Sequence, residues 1–315
     1  MNKATDNPSC GPGKPLRRAR LSVALLMLLG ILCWLPGVCI ADSGDSSQSR
    51  HSLWVVESAT NRTYLMGSVH VLRERDYPLP EVFYSAYDDA EELVMEVDLT
   101  TIDPIATLAM SREIAMLAEG ATLASVIGKE AFDRASELAA KNNINLDLYK
   151  YVEPWYAAMT ISQIQLQRLG FKVDKGIEFH FMTRARQDNK PTSGLETIAN
   201  QFQILDQLPR ESQIGFFLES LNDREKLLDE GEKMLTAWKT GDAEQLEALF
   251  SDDLNNNPHL RRTLLLERNM KWLPKIIALT GQKDDYLVIV GALHLVGKDG
   301  IIHMLRERGL VVRQL

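Results

Sequence analysis

The chain has 315 residues, with hydrophobic residues at 45%, charged residues at 25% and a formal net charge of −8. That is an ordinary globular composition, long enough for one large domain or two small ones and able to bury most of its apolar surface without staples. The acidic balance argues against a nucleic-acid partner, because phosphate contacts need a concentration of Lys and Arg.

In chain order, the first feature is a leader. Lys14, Arg17, Arg18 and Arg20 precede the apolar stretch LSVALLMLLGILCWLPGVCI, residues 21–40. A basic segment, an apolar run and small residues at Cys39 and Ala41 describe an export signal, residues 1–41, cleaved after Ala41. The mature chain is then periplasmic or secreted. The alternative is a membrane anchor through residues 21–40, since twenty apolar residues can just span a bilayer. Pro36 and Gly37 break the run near its end and favour cleavage. The leader carries five basic residues and one acidic one, so its loss takes the net charge from −8 to −12. It also holds all 3 cysteines, which leaves the mature chain without a disulfide or a thiolate. No second long apolar run follows, so no stable membrane span is expected after cleavage.

Residues 42–52 read as a polar linker, and structure is expected from residue 53 to 315 as a single α/β domain. LWVVE, residues 53–57, and NRTYLMGS, with a turn near Asn61 and Arg62, read as adjacent strands. Pro80 opens a helix through EVFYSAYDDA. LVMEV, within residues 91–99, is a short apolar run interrupted by one carboxylate, which fits a buried central strand. The middle, about residues 101–280, is mostly helical: SREIAMLAEG, EAFDRASELAAK, PWYAAMTISQIQLQRLG and VDKGIEFHFMTRARQ have helical apolar spacing. KPTSGLE, residues 190–196, reads as a short strand and a glycine turn entering the helix ETIANQFQILDQL. Residues 211–240 form one long helix or two joined near Asn222, and two further helices cover GDAEQLEALF and HLRRTLLLERNMKWLPKIIALT. DYLVIVGALHLVGKDGIIHMLRERGLVVRQL then reads strand, glycine turn, helix, a Gly309 cap and a last short strand.

Two phrases match each other: YLMGSVH, residues 64–70, and LVIVGALH, residues 287–294. Each is an apolar run, a glycine, two small or apolar residues and a histidine. His70 and His294 thus fall at the carboxyl edges of strands, where open α/β sheets bind ligands. The repetition suggests a duplicated half-site. Glu96 interrupts a strand that should be apolar on both faces, and a carboxylate there is costly unless it is paired, hydrogen-bonded or bound to metal. Two imidazoles and a carboxylate suit a divalent metal with an open position; the same three groups can also work without metal as base, acid and orienter. Glu196, after Gly194, points into the cleft or only complements a helix N-terminus. Arg268, inside an otherwise apolar-faced helix, pairs with Glu96 or Glu196, meets a substrate carboxylate, or faces solvent. Trp54, Trp155 and Trp272 read as core, and His51, His180, His259 and His303 lack matched settings. No H-E-x-x-H and no G-x-S-x-G occurs.

The pieces LWVVE, YLMGSVHVL, YPLP, LVMEVDL, SGLET, LLLERNMKW and VGALHLVGKDGIIHMLRERGLVV, in this order and spacing over residues 53–314, resemble the TraB/GumN family. That family includes the pheromone-shutdown proteins and is related to the Tiki metalloproteases. The resemblance implies an α/β fold whose mixed central sheet is built from two related halves, with a large helical insertion between them. For Tiki-like members it implies a divalent-metal-dependent protease whose site falls on His70, His294 and Glu96 here, with Glu196 and Arg268–Asn269 in the further family elements. The expected activity is therefore metal-assisted hydrolysis in a peptide or protein substrate. Manganese, cobalt or zinc would be held by His70 and His294 with Glu96 or Glu196, the other glutamate would shuttle the proton, and Arg268 would steady the oxyanion. Similar sheet-and-histidine arrangements in erythromycin esterases and haem-binding ChaN-like proteins keep two alternatives open. One is a non-catalytic periplasmic binding module for a peptide, haem or glycan precursor. The other is a metal-free His/Glu esterase.

Overall fold

In the computed structural model, which describes residues 50–222 and 224–315, two apolar strands and a four-residue turn open the fold. The predicted leader and its cysteines lie outside the described residues. Leu53–Glu57 (β1) pairs antiparallel with Arg62–Ser68 (β2), from Leu53 opposite Met66 to Glu57 opposite Arg62. The turn closes because the Ser58 hydroxyl accepts from the Asn61 amide at 3.0 Å while the Ser58 amide donates to the Asn61 carbonyl at 2.9 Å. The linker ends earlier than expected: Ser52 is buried and its hydroxyl donates to the Trp238 carbonyl, and the His51 amide donates to Leu315.

Glu92–Val97 (β3), Thr192–Glu196 (β4), Tyr286–Gly291 (β5) and Val312–Gln314 (β6) complete one mixed sheet in the order β4-β3-β5-β2-β1-β6. The four strands β4, β3, β5 and β2 run parallel, while β1 is antiparallel to both β2 and β6. All six residues of β5 are buried, as expected of a parallel strand covered on both faces. The two glycine-histidine strands are therefore direct neighbours, with Gly67 opposite Val290 and Ser68 opposite Gly291. A Cβ at Gly67 would lie 3.1 Å from Ala292, so the glycine lets the second phrase pass close over the first.

The crossovers are helical. Glu81–Asp89 (α1) joins β2 to β3. Pro104–Ala115 (α2), Leu123–Ile127 (α3), Lys129–Lys141 (α4), Pro154–Arg168 (α5) and Ile177–Asp188 (α6) lie between β3 and β4. Ile198–Asp206 (α7), Arg210–Ser220 (α8), Arg224–Lys239 (α9), Ala243–Asn256 (α10), Pro258–Arg261 (α11) and Glu267–Leu279 (α12) lie between β4 and β5, and Ile301–Glu307 (α13) follows β5. Among the described residues no helix is long and apolar enough to cross a membrane.

Three expectations need correction. The helix expected from Ser111 starts at Pro104, because the Asp103 carboxylate caps the amides of Ile105 and Ala106 and proline suits the first turn. The helix expected over 173–187 is split: Val173–Lys175 is a 3₁₀ turn, Gly176 is extended, and α6 begins at Ile177. Gly194 is not a turn but lies within β4, opposite Met95. A Cβ there would come within 2.8 Å of the Asp98 amide, so close backbone approach explains the glycine.

The segment after His70 is pinned by charge. Arg73 Nε donates to Asp76 at 2.8 Å, Lys239 Nζ from α9 donates to the other Asp76 oxygen at 2.9 Å, and Arg73 also reaches Glu232. Burial alone would raise the Asp76 carboxyl, but the bonds from Arg73 and Lys239 hold it at about 2. A carboxylate depressed in the folded state stabilises above its unfolded value of 3.8 and loses that contribution as pH falls towards 2. Urea midpoints of the wild type should therefore drop between pH 5 and pH 2, by more than those of Asp76→Asn. Equal drops in the two proteins would remove Asp76 as the cause.

Candidate functional site

The carboxyl ends of the four parallel strands bring together residues far apart in sequence. His70 follows β2 by two residues, Glu96 is the penultimate residue of β3, Glu196 ends β4, and His294 follows β5 by three residues. β5 lies between β3 and β2, so the two histidines and Glu96 come from three consecutive strands. All three are buried, with His294 at 0% exposure and Glu96 at 4%.

His70 is held by a residue that sequence reasoning missed. Its Nδ1 lies 2.7 Å from Oε1 of Glu178, in the first turn of α6, and the Ser68 hydroxyl donates to the same oxygen. Gly176 makes this possible: a Cβ there would sit 2.1 Å from the His70 carbonyl oxygen. The chain of α6 thus enters directly against the histidine loop, with the Ile177 amide donating to the Val69 carbonyl at 3.1 Å. Burial pushes the Glu178 carboxyl up, but the charge of His70 and the bonds from His70 and Ser68 outweigh it and leave the carboxyl below its ordinary range. In sequence Glu178 looks like any carboxylate favoured near a helix N-terminus, and no spacing ties it to His70.

Arg268 is the hub of the other half. It is 3% exposed, on the second residue of α12, just after a π-helical turn at Arg262–Leu266. Nη2 donates to Glu96 at 2.6 Å and to Glu196 at 2.7 Å; Nε donates to Glu196 at 3.1 Å; Nη1 donates to His294 Nε2 at 2.9 Å and to the Leu264 carbonyl at 3.3 Å. The Trp272 ring, one turn on, lies 4.6 Å beneath the guanidinium and 4.5 Å from the His294 ring. Trp272 is core, as expected, but core of the site. Its neighbour Asn269 fixes the His294 tautomer. The Asn269 Nδ2 donates to the carbonyls of His294 and Asp299, so its Oδ1 faces His294 Nδ1 at 2.7 Å and must accept a proton from it. Nε2 is then the acceptor for Arg268. Burial, then the charges of Arg268 and His70, hold His294 well below its ordinary range, consistent with a neutral ring.

Glu96 is surrounded by donors. Besides Arg268, the Gly291 amide donates to Oε1 at 2.7 Å and Gln201 Nε2, from α7, donates to Oε2 at 3.1 Å. Burial pushes the Glu96 carboxyl up against the pull of Arg268 and His70. Each of these three hydrogen bonds is donated to Glu96, so this shell is built for the ionised form. A cavity of about 20 Å³, counted as space for a water's centre, is lined by His70, Glu96, Glu178 and Gln201 with Val97, Leu99 and Ile198. Two acceptors among these residues, Glu178 Oε2 and Gln201 Oε1, are buried and have no hydrogen-bond partner within the protein.

The expected metal set of His70, His294 and Glu96 does not fit a metal as these atoms are bonded. His294 Nε2 accepts from Arg268 and both Glu96 oxygens accept from donors. Among the described residues no three His, Cys, Asp or Glu side chains form a ligand group.

Comparison with known proteins places the chain in a family. The TraB/PrgY/gumN family model matches residues 52–314. The chain belongs to this family. It is also 28% identical over 277 residues to the uncharacterized protein YbaP of Escherichia coli (strain K12) and, to the same extent, to YbaP of Shigella flexneri, covering 82% of this chain and 95% of each relative. No solved structure matches it. The sheet edge just described therefore belongs to a TraB/PrgY/gumN protein, and the YLMGSVH and VGALH phrases are the parts of the match that carry its two buried histidines.

Proposed function

We propose that this TraB/PrgY/gumN protein is a hydrolase of an acyl or peptide bond in which His70 takes a proton from a water. The observation that carries this reading is the cavity beside the His70–Glu178 pair. It has room for one water, which needs roughly 10–15 Å³ by the same measure, and it presents two buried acceptors without a protein partner. A water there donates one hydrogen to Glu178 Oε2 or Gln201 Oε1 and presents the other to the imidazole of His70. Glu178 orients the ring through Nδ1, and this reading assigns the proton exchange to Nε2. Arg268 supplies fixed positive charge for a developing oxyanion in a dry setting. Ile198 and Gln201 of α7 form one wall of this cavity.

The second reading is the divalent-metal peptidase that the family resemblance implies. The convergence of His70, Glu96 and His294 at one sheet edge favours it, and pairing of β2 with β5 supports a duplicated origin for the two phrases. It requires Arg268 to release His294 and Glu96. Screening peptide and ester libraries with the wild type and His70→Ala separates the readings. Turnover that survives a chelator and disappears in His70→Ala supports the first. Turnover abolished by chelator and restored by manganese, cobalt or zinc supports the second.

Export completes the proposal, with residues 1–41 as the leader and a periplasmic or secreted mature chain. The mass of protein from the native host should correspond to a start at Asp42. An intact leader in the membrane fraction would favour the anchor instead.

A further inference from the structure

We propose that the groove between α12 and α13, on the outer side of the helix that carries Arg268, binds an aliphatic monocarboxylate, with its chain in the groove and its carboxylate on Arg308. The groove follows from the sequence of α12. At about 100° per residue, Met270, Leu273, Pro274 and Ile277 share the face opposite Arg268 and Trp272. One side of the helix is therefore committed to the sheet edge, and the other side is apolar and packs against α13. Met304 of α13 supplies the facing wall. The cover is incomplete: Leu273 and Met304 are buried, whereas Met270 is 61% exposed. The space left is about 280 Å³, close to the roughly 300 Å³ at which small-molecule pockets begin.

The two charged residues of the groove name the head group. Arg308 lines it from the residue that ends α13. Arginine has five N–H donors in a planar fork, and only one bond is made here, from Nη1 to the Met304 carbonyl at 3.0 Å. Arg308 pairs with no carboxylate among the described residues. Glu307 lines the groove too, but its carboxylate lies 3.3 Å from His303 Nε2, one turn back on α13. Adjacent residues of a helix do not face each other, so Glu307 does not take up the fork of Arg308. A carboxylate fits that fork in bidentate fashion. The remaining lining side chains are Leu, Met, Pro and Ile, which offer a sugar or a nucleotide no partners for its hydroxyls. An alkyl chain needs none, and the unbranched methionines adapt to its shape.

The proposal stands apart from turnover, so a failure of the hydrolase reading leaves it untouched. The test is nuclear magnetic resonance of the full chain, ¹³C-labelled at the methionine methyls and titrated with octanoate and with octanol. The Met270 and Met304 methyls should shift together and saturate with octanoate, while Met66 and Met95, buried in the sheet, stay in place. Octanol has the same chain and no charge, and it should bind about 5-fold more weakly. Octanoate should lose the same factor on Arg308→Ala, the upper end for an exposed ion pair. Met270→Glu puts a carboxylate into the groove and should abolish saturable binding, with circular dichroism unchanged. Absence of a saturable shift at Met270 and Met304 overturns the proposal, and so does octanol binding as tightly as octanoate or an Arg308→Ala protein of unaltered affinity. Shifts that need phosphatidylcholine vesicles would make the groove a membrane seat, and shifts that track protein concentration would make it a contact between two copies of the chain; either result also overturns it.

Discussion

Arg268→Ala is expected to lose about 3–5 kcal/mol of folding stability, the scale for breaking a buried charge network by deleting one partner. The loss comes less from the bonds removed than from what is left behind. Glu96 and Glu196 would face each other without a countercharge, and His294 Nε2 and the Leu264 carbonyl would lose their donor. Equilibrium urea unfolding at pH 7 should show a lower midpoint with an unchanged slope. The pH dependence has a definite sign. Burial already pushes Glu96 up, and without Arg268 only His70 and the Gly291 amide pull it back. A carboxyl raised in the folded state is stabilising once protonated, so the variant should regain stability relative to the wild type as pH falls from 8 towards 5. Adding Glu96→Gln and Glu196→Gln to the Arg268 variant should recover part of the loss, because the uncompensated charges are gone. An Arg268→Ala protein with the wild-type midpoint would mean that the guanidinium contributes no net stability.

The residues that could be read from the sequence are those whose local pattern is violated. Glu96 stands in a run of buried strand residues, and Arg268 shares a helical face with Leu265, Trp272 and Ile276, all buried. A charge in an apolar pattern advertises a partner, but it does not say which one. The strand-edge positions of His70 and His294 followed from glycine-terminated apolar runs, and strands at the two ends with a helical middle followed from the same periodicities, whereas the mixed sheet was what the family resemblance implied. Glu178, Gln201 and Ser68 could not be found that way. Each is a polar residue at a place where polar residues are ordinary, and its role comes from tertiary contact across 105 to 110 positions of sequence. The metal set expected from two histidines and a glutamate missed that Arg268 competes for the same lone pairs. Sequence spacing carries no information about which of two cations holds a cluster of acceptors.

Glu178→Gln is expected to reduce turnover by about 100-fold or more while His70→Ala abolishes it, the scale by which a positioned base accelerates proton transfer. The two residues have different roles. His70 is the base; Glu178 is a positioning residue that fixes the ring through Nδ1 and, as an anion, favours the imidazolium that forms when the base accepts a proton. Glutamine keeps the shape and can still meet Nδ1, but it removes the charge. The acid limb of kcat/KM should therefore move to lower pH in Glu178→Gln, because the charged ring has lost its counterion. A purely structural role for Glu178 would lower the rate without moving that limb. Ser68→Ala gives the graded comparison: it leaves the Glu178 charge in place and removes one donor to it, so the limb should move little and turnover should fall less than in Glu178→Gln. Circular dichroism and urea midpoints of each variant separate lost catalysis from lost fold. Full turnover in a folded Glu178→Gln protein would remove the pair from the mechanism and leave Glu96, in the field of Arg268, as the group to test next.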